Sequence, residues 1–292
     1  MTTKTTMKIS DRACTTAMSN CPPAPSAAGL PEGRTALKTA GISVIIAYFP
    51  AFLFPLILPY GAAVRLVVFG ASGMVGQGAV RACLRDEGVS EVLLVVRRPL
   101  HVQHAKVREI VHTDFTDYTG LSSELTGLDG CLFCLGMPSA GCPEEEYIRV
   151  THDYTLAAAR ALTAASPAGA FVYISGHGAD STERSRFLGA RVKGSTENAL
   201  LALPGSTYVF RPAYIQPEDG AVSRTPLYRR LYRVTSGLYP LLQRIAPRYV
   251  TTTGQLGRAM IAAVRLRPAG PAVLHTREIN QLAAASPSPG VR

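Results

Sequence analysis

The stretch RLVVFGASGMVGQGAV, residues 65–80, decides the fold. RLVVF (65–69) is an unbroken apolar run, as expected of a strand buried on both faces. Gly70, Gly73 and Gly76 follow it as G-x-x-G-x-x-G, at the start of a helix predicted to run from about Gly73 to Asp86. In that setting the first glycine permits a tight turn. The second lets the backbone approach a diphosphate, and the third lets the helix pack on the sheet. The helix dipole and the exposed backbone at Ser72, Gly73, Met74, Val75 and Gly76 favour an anion. A dinucleotide is the expected ligand.

Outward from this turn, strand-like and helix-like segments alternate. Strands are predicted at EVLLVV (91–96), KVREIVH (106–112), DGCLFCL (129–135), AFVYIS (170–175) and TYVFR (207–211). Helices are predicted over 144–165, from Phe187 to about Leu200, and over 253–266, followed by a short strand near Val273 and a last helix to about Ala284. This order predicts an α/β protein with a Rossmann-type doubly wound parallel sheet, helices on both faces, over residues 64–285. The second strand ends in Arg97-Arg98, where an NAD site would usually place a carboxylate for the ribose 2′-hydroxyl. Two guanidinium groups suit a 2′-phosphate, so NADP(H) is expected over NAD(H). Asp114, past the third strand, is placed to approach the adenine, and Leu135-Gly136 to let the chain pass close to the cofactor.

The two ends of the chain differ from this middle. Residues 1–40 have the Ser/Thr/Ala/Pro-rich, non-periodic composition of a disordered segment, basic enough to be compatible with an organelle transit peptide. Residues 41–63 form an apolar arm, part of an uncharged run from Thr39 to Val64 that is long enough for a membrane anchor. Pro50, Pro55 and Pro59 argue against a regular spanning helix there. The formal charge of +10 is concentrated in residues 221–292, where Glu278 is the one acid. Within the basic segment 224–249, Leu227, Leu231, Val234, Leu238, Leu241 and Ile245 recur at helical spacing, interrupted at Gly237 and Pro240. Such a segment can lie on a membrane surface or cover a substrate cleft. No nucleic-acid motif accompanies the arginines, so no nucleic-acid partner is expected. Cys131 and Cys134 have C-x-x-C spacing within a predicted strand, which points them to opposite faces and excludes a shared metal. Residues 286–292 read as a disordered tail.

The segments GASGMVGQG (70–78), VVRR (95–98), YIRVTHDYTLAAARA (147–161), YISGHGAD (173–180), VKGSTENAL (192–200) and FRPAYI (210–215) together resemble the atypical short-chain dehydrogenase/reductase superfamily. More narrowly they are similar to its Tat-interacting-protein-like branch of NAD(P)H-binding oxidoreductases. The resemblance covers about Val64 to Ala284. It implies a reactive set of a strand-end serine, a helical tyrosine and a lysine one turn later. Ser175 matches the serine and Lys193 the lysine, while the tyrosine position holds Gly189. An unaided phenol titrates near pH 10, so such a site needs its lysine to work near neutrality. Here the phenol itself is missing.

Two readings follow. In the first, the chain is an oxidoreductase acting on an unknown small carbonyl or hydroxyl compound, with His177 or Tyr214 replacing the lost proton donor. In the second, it binds NADP(H) without catalysis, as a regulatory or interaction protein, with or without a membrane. The expected location is cytoplasmic, with membrane or mitochondrial association as the alternative.

Overall fold

The computed structural model describes residues 63–221, 239–268 and 272–285. The N-terminal segment, the apolar arm up to residue 62, residues 222–238 with the first part of the basic segment (224–238), residues 269–271 and the C-terminal tail lie outside the described residues.

The chain enters the sheet at β1 (Val64–Phe69), turns into α1 (Met74–Arg85) and returns through β2 (Val89–Val96) and β3 (Val107–Val111). A short α2 (Ser122–Leu125) precedes β4 (Gly130–Phe133). Then come α3 (Glu144–Ile148), a π turn (Arg149–Asp153), α4 (Tyr154–Ala165) and β5 (Ala170–Ile174). α5 (Leu188–Leu201), β6 (Ser206–Arg211), β7 (Tyr214–Gln216), α6 (Tyr239–Ile245), β8 (Val250–Thr252), α7 (Thr253–Leu266), β9 (Val273–His275) and α8 (Thr276–Ala285) complete the described chain. Seven strands form one parallel sheet in the order β3-β2-β1-β4-β5-β6-β9. This is the Rossmann-type sheet that the alternation of segments predicts, with the order reversing at β1–β4, where such folds bind ligands.

The period-2 pattern of each strand feeds two separate cores. Leu66, Val68, Val92, Leu94, Leu132, Val172 and Phe210 face α1, α7 and α8. Val67, Phe69, Leu93, Val95, Phe133, Phe171 and Val209 face the opposite layer, which holds Phe115, Tyr118, Leu156 and Leu162. Each fully buried valine, leucine or phenylalanine contributes roughly 1.5–3 kcal/mol. Cys131 lies in the second core, whereas Cys134 packs against the first, so the C-x-x-C pair is split by the sheet. Burial pushes both thiols far above their usual pKa. Among the described residues no cluster of metal-ligating side chains occurs.

Two local features were not predicted. The helix expected over 144–165 is broken by the π turn at Arg149–Asp153. Just past this turn the Thr155 hydroxyl donates to the Thr151 carbonyl at 2.7 Å, a back-bond that accompanies helix bending. The second feature is the parallel pairing of β7 with β8, Tyr214 opposite Val250. α7 starts directly after β8 with a capping box. Thr252 Oγ1 accepts from Gln255 N at 3.0 Å, and Gln255 Oε1 accepts from Thr252 N at 3.1 Å. Such caps contribute about 1 kcal/mol.

Candidate cofactor and reaction site

At the β1–α1 turn, Gly70 has φ +74°, a conformation that L side chains rarely adopt. A Cβ there would lie 2.6 Å from Leu135 N, so the glycine also permits the close approach of the β4 exit. At Gly76 a Cβ would come within 2.1 Å of the Gly70 carbonyl oxygen. The third glycine thus packs α1 onto the turn itself. Gly73 is the N-cap of α1, makes no side-chain cap bond, and no acid occupies the first turn. Side chains therefore leave the amide donors around Met74, Val75 and Gly76 available to an anion, so the residues present fit a dinucleotide diphosphate. Gly136, past β4, has open space where a Cβ would stand, which leaves room beside Leu135.

Arg97 and Arg98 are exposed immediately after β2 and have no hydrogen-bond or ion-pair partner among the described residues. The loop behind them is anchored by Glu109 on β3, a residue the motif reading did not single out. Its carboxylate accepts from the backbone N–H groups of Leu100 (2.9 Å), His101 (3.3 Å) and Val102 (2.8 Å). Partial burial opposes the charged form of Glu109, but these N–H groups outweigh it and hold the pKa below its ordinary value. Asp114 is exposed past β3 and accepts from Thr116 N at 2.9 Å and from Thr116 Oγ1 at 2.5 Å. The threonine bonds lower its pKa and fix it as the first residue of a tight turn.

Ser175 and Lys193 meet, but not as a free hydroxyl and a free ammonium. Lys193 Nζ donates to the carbonyl oxygen of Ser175 at 3.0 Å, and its desolvation lowers its pKa against the opposing charge of Glu197. The Ser175 hydroxyl donates to the buried carboxylate of Glu197, which is also held by Arg211. Arg211 Nε lies 3.0 Å from Glu197 Oε2, and its Nη2 donates to Ser181 Oγ at 2.6 Å. Glu197 and Arg211 form a buried ion pair that joins α5, β6 and the 176–185 loop. Because its proton points to Glu197, Ser175 can offer a substrate lone pairs but no hydrogen. Neither Glu197 nor Arg211 was among the predicted site residues. A helical glutamate and a strand-end arginine fourteen positions apart carry no local signal of pairing.

Gly189 is the first turn of α5, and its missing side chain is replaced from elsewhere. A Cβ there would lie 2.8 Å from Ser139 Oγ and 3.6 Å from the Tyr147 hydroxyl. The loop after β4 therefore enters the space that a tyrosine at 189 would use. Tyr147 itself is buried, which raises its pKa. His177 is exposed, with its backbone N–H on the Pro212 carbonyl at 3.1 Å. Its ring meets Tyr249 and His275 edge-on, at 5.8 Å and 6.0 Å between centroids. Tyr214 donates its hydroxyl to Gln216 Oε1 at 2.8 Å. The structure thus brings Ser175 and Lys193 together and keeps His177 close in sequence at the same strand end, facing solvent.

No protein-family model matches the chain. Among curated proteins it is 31% identical over 161 residues to "Protein fmp52, mitochondrial" of Emericella nidulans, a match covering 52% of this chain and 66% of that protein. The chain therefore spans just under two thirds of that relative's length. Several solved structures share the fold. MoeE5 in complex with UDP-glucuronic acid and NAD has a TM-score of 0.55 and 20% identity, covering 73% of this chain and 76% of that one. The Bordetella bronchiseptica enzyme WbmF in complex with NAD+ has a TM-score of 0.55 and 18% identity, covering 76% and 77%. A short-chain dehydrogenase from Burkholderia cenocepacia J2315 in complex with NADP has a TM-score of 0.50 and 16% identity, covering 77% and 94%. The fold is that of nicotinamide-cofactor-binding Rossmann proteins.

Proposed function

We propose that the chain is an NADP(H)-binding oxidoreductase of the atypical short-chain dehydrogenase/reductase type, acting on a small carbonyl or hydroxyl compound. The observation that supports this reading best is the uncapped α1 N-terminus above Gly70 and Gly76, together with the unpaired guanidinium groups of Arg97 and Arg98 at the end of β2. Bound NADPH would supply the hydride. The protein's own part is to hold the diphosphate at Ser72–Gly76 and the 2′-phosphate at Arg97 and Arg98. Lys193 would orient the nicotinamide ribose, and Ser175 would accept a hydrogen bond from a hydroxyl substrate. With glycine at 189, the exposed His177, whose ring stands beside Tyr249 and His275 past β5, would exchange the proton with the substrate oxygen.

Titration with NADPH and NADH tests the cofactor claim. NADPH is expected to bind more tightly, and Arg97→Ala or Arg98→Ala to weaken NADPH about tenfold or more while sparing NADH. Equal affinities in the native protein would overturn the arginine assignment. Turnover with aldehydes, ketones and quinones tests catalysis, and an unchanged rate in His177→Phe removes the histidine from the mechanism.

A second reading, an NADP(H)-binding regulatory or membrane-associated protein, is favoured by one further observation. Leu241, Ile245 and Tyr249 are 53%, 71% and 42% exposed beside the exposed Arg244 and Arg248. An apolar face flanked by arginines suits an anionic lipid surface, and the curated relative is a mitochondrial protein. Tight NADPH binding with no turnover on any carbonyl would favour this reading. It also expects co-sedimentation with anionic but not neutral vesicles, lost in Leu241→Glu/Ile245→Glu.

A further inference from the structure

A cavity of about 330 Å³ lies on the outer flank of the α1–α7 layer, lined among others by Arg81, Arg85, Glu218, Asp219, Thr253 and Arg258. Arg81 is eight residues beyond Gly73, roughly 12 Å further along α1. The cavity is therefore separate from the diphosphate turn. Its wall is built rather than loose: Glu218 N donates to Thr253 Oγ1 at 3.0 Å, pinning the loop after β7 to the start of α7.

Most of the charges here are accounted for. Arg85 pairs with Asp219 at 2.7 Å, and Arg265 holds Asp86 through two bonds of 2.7 and 2.8 Å. Two guanidinium groups are not. Arg81 Nη1 is buried without a hydrogen-bond partner, and Arg258 has no ion-pair or hydrogen-bond partner among the described residues. A buried donor without an acceptor is costly, and an unpaired one in a native fold calls for an explanation. The remaining acid, Glu218, accepts from Gly254 N at 3.2 Å at the start of α7.

We propose that this cavity is a second ligand site, taking a small phosphate monoester whose organic part carries a hydroxyl group. Arg81 and Arg258, on neighbouring helices, hold the phosphate, since guanidinium forks match phosphate oxygens in pairs. Glu218 accepts the hydroxyl. The volume suits a phosphate with a few carbon atoms and is at the small end for ligand pockets.

The test is calorimetric titration of the full chain with sn-glycerol 3-phosphate and with inorganic phosphate. Arg81→Met and Arg258→Met keep the alkyl stems and are each expected to weaken glycerol 3-phosphate about tenfold or more. Arg97→Ala is expected to leave it unchanged, which separates this site from the dinucleotide site. Glu218→Gln is expected to strengthen inorganic phosphate several-fold, because it removes a like charge while keeping an acceptor for Gly254 N. Should a methionine variant lose its cooperative melt, Arg81→Lys and Arg258→Lys replace it, with an intermediate loss expected. The proposal is overturned by the absence of saturable binding, by binding that both arginine variants leave intact, or by loss of binding in Arg97→Ala. Arg81-dependent capture by phosphatidic-acid vesicles without glycerol 3-phosphate binding would also overturn it, and would assign the cavity to a lipid headgroup.

Discussion

The β1–α1 turn and the β5–α5 connection hold equivalent places in the sheet, each leading from the carboxyl end of a strand to a helix. At the first, glycines bring backbone together and leave the helix-start donors uncapped. At the second, the polar groups are already committed. Ser175 donates to Glu197, Lys193 donates to the Ser175 carbonyl, and Ser139 enters the space beside Gly189. A site made of backbone needs only local sequence to form. A site made of side chains depends on what distant segments offer, and here they offer a buried ion pair and a filled pocket.

The β5–α5 connection depends most heavily on that ion pair. Glu197→Ala is expected to destabilise the fold by about 3–5 kcal/mol in denaturant titration, because it leaves the largely enclosed Arg211 guanidinium without its carboxylate. A Glu197→Leu/Arg211→Met double variant should lose much less, and equal losses would show that the pair is not the source. Gly76→Ala comes next, at about 3 kcal/mol, since the added methyl group meets the Gly70 carbonyl. Its dinucleotide affinity should fall with its stability.

Restoring the missing phenol probes the second site. Gly189→Tyr is expected to cost about 1–3 kcal/mol by overpacking against Ser139, and adding Ser139→Gly should recover part of it. Carbonyl turnover should rise in the double variant and not in Gly189→Tyr alone. An active single variant would mean that the loop after β4 yields readily.

The smallest effect lies at Glu109. Its pKa is held below the ordinary value of 4.5, so its stabilisation is complete above about pH 4.5 and is lost as pH falls through the lower folded value. Solvent screening keeps this below about 1 kcal/mol. Hydrogen exchange at Leu100 and Val102 should accelerate in acid in the native protein, and in Glu109→Gln should show no such acid-dependent rise.

The legible parts were those with short-range causes. The strand predicted at 65–69 and the helix predicted over 253–266 emerge within a residue of their expected limits, because apolar periodicity and turn chemistry act locally. The π turn inside 144–165 was hidden, since the sequence there keeps a helical pattern throughout. Gly189 could be read as a lost tyrosine, but Ser139, fifty residues earlier, could not be read as the group that takes its place.

The sequence by itself therefore determined the parallel sheet, the glycine turn and the two arginines that end β2, all consequences of neighbours along the chain. Only the tertiary structure decided that the Ser175 hydroxyl donates its hydrogen bond to Glu197 and that Arg211 answers that charge. It alone left Arg81 and Arg258 facing a cavity unpaired. Those outcomes depend on which charges burial brings within hydrogen-bond reach, and residues on different elements acquire that proximity only when the layers pack.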